Sequence, residues 1–284
     1  MKLDLDGLNA DSLICMLKAS FSLENWDAMI EVADKLITWI TLLYETSRNT
    51  TSNTTREQNL KRSIPFYFGF SLCSKGIALQ KLGKYPEARM CIVKYSDLGW
   101  IKGLDEEGNH EVNYYRSIAE ANTYVLDLLE GKTGVLKEYV KFIRNNAEEE
   151  LLPGLITILE SSIKYNYSVD WILTEFEINV NAIEKQETTE SIRYFMDYKF
   201  LLAMYHYKQG NMYDAINLTL ETLRSSIKLK DDTGFKKAAA LFEILRDDAN
   251  QSQLQVHHNI MKTIIERELT NEKEIVLADS RSLD

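Results

Sequence analysis

Residues 78–89 read ALQKLGKYPEAR, and the order of residues in this stretch decides how the chain around it folds. Upstream, FYFGFSLCSKGIALQKL (66–82) is an apolar-periodic run that stops at Gly83. Downstream, Pro86 stands in the first turn of YPEARMCIVKYSDL (85–98), where its fixed φ suits a helix start and its missing N–H costs nothing. A glycine that ends one helix and a proline that opens the next make an elbow. Ser63 and Pro65 supply a cap and a first-turn proline for the upstream helix.

The same rhythm extends in both directions. A helix is expected over 10–22, followed by NWDAMIEVADKLITWITLLYETS, where Trp26, Ile30, Ala33, Ile37, Ile40 and Tyr44 share one face. RNTTSNTTRE (48–57) is rich in residues that bond their own backbone and reads as a linker. HEVNYYRSIAEANTYVLDLLE (110–130) ends at Gly131, before GVLKEYVKFIRNN. Pro153 marks a helix start in LLPGLITILESSIKYN, and Ser168 or Asp170 caps WILTEFEINVNAIEK. After Thr188 or Thr189, SIRYFMDYKFLLAMYHYKQ stops at Gly210 and MYDAINLTLETLRSSIKL follows. GFKKAAALFEILRDDA then pairs with QLQVHHNIMKTIIEREL. About twelve paired helices and no strand predict an all-α chain, an α-solenoid of helical hairpins over residues 1–270 with a flexible tail at 271–284.

Composition agrees with this. Three prolines and twelve glycines in 284 residues leave room for long helices. A net charge of −10 disfavours nucleic-acid binding through the overall field, and the basic residues Arg56, Lys61 and Arg62 read as solvated charges beside a loop. Cys15, Cys73 and Cys91 are odd in number and lack C-x-x-C spacing, which fits neither a disulfide framework nor a zinc site. Adjacent His257 and His258 point about 100° apart on a helix, so no metal site is expected. The acidic opening and the lack of an apolar run near ~20 residues argue against a signal peptide or a membrane span, and a cytoplasmic location is expected. No nucleophile motif or phosphate loop is present, so a binder rather than an enzyme is expected, without a cofactor.

GIALQKLGKYPEA, with Gly76, Gly83 and Ala88, resembles the tetratricopeptide repeat, in which small residues let two helices approach closely and an aromatic such as Tyr85 fills the corner. AMYHYKQGNMYDA repeats the pattern with Ala203, Gly210, Tyr213 and Ala215, and ENWDA keeps only Trp26 and Ala28. The longer stretch GIALQKLGKYPEARMCIVKYSDLGWIKGLDEEG, with LLPGLITILE and YSVDWILTEFE downstream, resembles the repeat region of bacillus-type regulatory proteins of the Rap and PlcR groups. That resemblance implies a bacterial regulator that binds a short signalling peptide in a concave groove. No counterpart of the N-terminal helix-turn-helix of the transcription factors among them is expected, since the first residues given already lead into the repeats.

Tyr115, Ile118, Asn122, Val125 and Leu129 share a stripe, so Asn122 is an amide among apolar neighbours that needs a partner. The resemblance implies a bond to the backbone of an extended peptide; a helix-to-helix hydrogen bond is the alternative. Tyr194, Tyr198, Tyr205 and Tyr207 bring amphipathic rings to one helix, either to grip a peptide or to pack a core. The repeat register turns Cys73, Ile77, Gln80, Phe200, Met204 and Tyr207 toward the groove. The candidate peptide- or protein-binding residues are Asn122, Tyr115, Gln80, Tyr198 and Tyr207. Two rivals stand beside this expectation: a DNA-acting regulator or its sensing part, and a homodimeric scaffold joined through terminal helices.

Overall fold

The computed structural model describes residues 5, 7–49, 60–184 and 189–280. Every regular element among them is helical. In chain order they are α1 (Ala10–Ser22), α2 (Trp26–Asn49), α3 (Ile64–Lys81), α4 (Tyr85–Ser96), α5 (Glu106–Leu129), α6 (Leu136–Asn145), α7 (Ala147–Tyr165), α8 (Asp170–Glu184), α9 (Thr189–Lys208), α10 (Met212–Leu229), α11 (Asp232–Leu245) and α12 (Gln251–Ser280). Most of the linker expected at 48–57, with Arg56, lies outside the described residues, as does Thr188.

The elbow forms as its residues dictate. Gly83 takes a φ of +73°, and the N–H of Lys84 reaches back to the carbonyl of Leu79 at 2.8 Å, satisfying a carbonyl that the helix end would orphan. Gly210 does the same at +80°, with Asn211 N–H donating to His206 at 2.9 Å. Between α1 and α2 no glycine is present, and Glu24 adopts the left-handed conformation at +53°. Asn25 then bonds Ser20 at 2.9 Å, which shows the same cap built on a less suitable residue.

One helix start falls elsewhere than Pro153. The N–H groups of Glu149 and Glu150 bond the carbonyl of Asn146, so α7 begins six residues earlier and Pro153 lies inside it. Glu148 and Glu149 place negative charge at the positive end of that helix, which favours the earlier start over the proline signal.

The chain divides into two compact units, residues 1–135 and 136–284. In the first, each helix packs on its successor, and α3 also touches α1 and α5. The core there runs from Leu13, Leu17, Leu36 and Ile40 through Tyr67 and Tyr95 to Leu126. In the second unit α7 packs on α6, α8 and α9, α9 also meets α10 and α11, and α12 lies against α10. Ala203, Ala215, Ile216, Leu223, Phe242 and Leu245 are fully buried in its core. The two glycine elbows thus fall one in each unit. In the first, the Cβ of Cys91 is only 3.4 Å from where a Cβ on Gly76 would stand, so α3 and α4 approach closely at the small residues of the repeat pattern.

Candidate functional site

In the first unit Phe66, Phe70, Cys73, Ile77 and Gln80 are among the half-exposed side chains of α3, with Ile64 at its start and Lys75 beside them. The five follow a 4-3-4-3 spacing, which puts them on one helical stripe. Its start is rigid. Phe66 stacks on Phe70 at 5.6 Å between centroids, and the Arg62 guanidinium lies 4.3 Å from the Phe66 ring centre. Arg62 is itself fixed by Glu107 at 3.1 Å and by the buried Glu111 of α5. It is an exposed charge beside a loop, as its place in the sequence suggests, and it also links the start of α3 to α5.

The crossing of α3 and α5 depends on Gly69. A Cβ there would overlap Cδ2 and Cε2 of Tyr115, so only glycine lets the ring lie flat on the α3 backbone. Tyr115 is buried and its hydroxyl donates to the carbonyl of Phe66 at 3.3 Å. Burial holds its phenol protonated far above the ordinary tyrosine range.

Beyond this crossing, Ile118 and Asn122 of α5 stand half-exposed. Asn122 Nδ2 donates to the hydroxyl of Tyr95 on α4 at 2.8 Å and lies 3.8 Å from Cys73 Sγ on α3. One amide therefore ties three helices together, which is the helix-to-helix bond allowed by the sequence. Neither contact uses Oδ1. Asn122, Gln80 and Ile77 border one small cavity of ≈ 10 Å³ with Gly76, Ala88 and Tyr95. That volume suits about one water, so the helices close beneath a face and do not open into a pocket.

The five candidates divide between the units. Asn122, Gln80 and Tyr115 belong to the first, and the structure brings Asn122 and Gln80 to one spot while Tyr115 turns inward. Tyr198 and Tyr207 belong to the second. Tyr198 is buried, and its phenol is pushed up to about 12 by that burial and by Glu177. Tyr207 is half-exposed with Phe200 and Met204, and the three pack along the edge of that unit's core. Tyr205 is buried and structural: it donates to Asp170 at 2.8 Å and accepts from the Val169 N–H at 3.1 Å, fastening the start of α8 to α9. Tyr194 is exposed.

Gly69 and Tyr95 were not singled out from the sequence. The spacing of Phe66 and Phe70 ahead of Cys73 was a usable signal for extending the stripe. Tyr95 was not, because nothing in its own helix reports the Asn122 that meets it. Among the described residues no group of three or more His, Cys, Asp and Glu side chains could hold a metal, and no helix is long and apolar enough to cross a membrane. No protein-family model, curated protein or solved structure matches the chain.

Proposed function

We propose that the chain is a tetratricopeptide-like helical-repeat regulator that binds an extended peptide or protein segment along the α3–α5 face of its first unit. The carrying observation is the half-exposed apolar stripe on α3 that ends in two amides, Gln80 and Asn122, at one place. Apolar side chains of a ligand would lie on Phe70, Ile77 and Ile118, and the amides would meet its backbone, with Asn122 Oδ1 accepting an N–H. Within the units, the packing of α1 through α5 each on the next, of α3 on both α1 and α5, and of α9 on both α7 and α11 supports a solenoid. The resemblance to peptide-sensing bacterial regulators supports the same ligand class, and with it the reading of a cytoplasmic binder without catalysis.

A random-peptide display selection against the full chain tests this, with Ile77→Arg as paired bait. The expected result is a set of peptides enriched on the parent and lost on the variant, with both proteins equally helical by circular dichroism. Failure to enrich any peptide, or equal retention by Ile77→Arg, would remove the proposal.

A further inference from the structure

In the second unit α12 is seated by two buried side chains one helical turn apart, Gln253 and His257. Gln253 donates to the Tyr213 carbonyl of α10 at 3.3 Å and to Asn217 Oδ1 at 2.8 Å, while its own Oε1 accepts the Asn250 N–H at 3.1 Å. His257 lays its ring flat on Phe242 of α11, with 3.8 Å between centroids and 4° between the planes. Phe242 and Leu245 of α11 and Ile260 of α12 are buried in one core. The imidazole is therefore part of the α11–α12 interface, and the charge it carries bears on how α12 is held.

A neutral imidazole suits this place and an imidazolium does not. The Phe242 ring already has the Arg246 guanidinium 5.4 Å from its centroid, in the short helical turn that follows α11. The Glu243 carboxylate of α11 also acts on His257, but Arg246 holds it at 2.8 Å, and Asp247 acts on Arg246 in turn. His258 adds a second basic ring on α12 itself. From α10, Arg224 and Lys228 reach the cleft lined by Val256 and Ile260, the residues before and after His257 on the same helix. Burial first, and Arg246 next, hold the His257 ring below its ordinary 6.5. A chain with α12 lifted takes up the proton more readily, so the seat is at full strength above that value and weakens as pH falls through it. A phenyl face attracts a cation, yet a ring already shared with a guanidinium offsets only part of the cost of taking a charge out of water.

We propose that His257 is an acid-sensitive latch: a proton on its ring loosens α12 from α11 and uncovers the apolar side chains of Phe242, Leu245 and Ile260. The latch belongs to the second unit and does not depend on a ligand at the α3–α5 face.

Hydrogen exchange of the full chain, read by mass spectrometry at pH 7.5 and pH 5.5 and corrected for intrinsic exchange, tests this. His257→Phe is the paired variant, because its ring can stack on Phe242 and cannot take a proton. Protection over residues 251–266 of the parent is expected to fall severalfold on acidification, to a limit of about tenfold, and to stay constant in His257→Phe. Glu150 of α7 titrates in both proteins, so the comparison cancels it. The parent's own His257 ring, followed by NMR, supplies a readout that needs no variant: its midpoint is expected below 6.5, in step with the loss of protection in α12. Protection in the parent that does not change between the two pH values, an equal fall in His257→Phe, or a ring that titrates above 6.5 would overturn the proposal.

Discussion

Gly69 sets the distance between α3 and α5, because the Tyr115 ring occupies the space a Cβ would need. Gly69→Ala should therefore cost on the order of 1–3 kcal/mol in urea unfolding by forcing the helices apart; an unchanged midpoint would mean the ring can move aside. Glu150 carries a different liability. Burial, with Glu149 adding repulsion, pushes its carboxyl up to about 7 from an ordinary 4.5. The folded chain holds this proton more tightly than the unfolded one, so stability falls as pH rises between those values. Glu150→Gln should stabilise the protein by on the order of 2 kcal/mol at pH 8 and by almost nothing at pH 4, and equal effects at both would contradict this. Asn122 was legible as an amide in an apolar stripe but its partner was not. Tyr95→Phe removes that hydrogen bond while leaving Asn122 in place, at a cost of about 1 kcal/mol. Comparing it with Asn122→Ala separates the role of the amide in packing from any role toward a ligand.

At the scale of elements, the signals that located the helices were local: glycines with positive φ, first-turn prolines and the 3.6-residue period. Where two local signals competed, as at Pro153, the sequence was ambiguous. The acidic first turn and the Asn146 carbonyl start α7 ahead of the proline. The attachment of α12 was not legible at all, because Gln253 reads as one polar residue on a polar helix and its partners lie 36 and 40 residues away. Gln253→Ala leaves buried acceptors on α10 and an uncapped Asn250 N–H. It should lower stability by about 1–3 kcal/mol and speed hydrogen exchange in the first turns of α12 more than in α10. Uniform acceleration across the second unit would instead make Gln253 part of a global core.

At the scale of the molecule, the periodicity showed helices in number and kind, but not that the chain divides at about residue 135. That division depends on which faces meet, and each of the two units has its own buried cluster. A fragment of residues 1–135 is accordingly expected to be helical and to melt cooperatively by circular dichroism; a featureless melt would show that its core needs the remainder. The central claim is that the α3–α5 face of this first unit receives a peptide. A methyl NMR titration of the full chain with a display-selected peptide tests it most directly. Saturable shifts at the methyls of Ile77 and Ile118, with those of the buried Ile172 and Ile216 unmoved, are the predicted result. Saturable binding that leaves Ile77 and Ile118 unperturbed would contradict it.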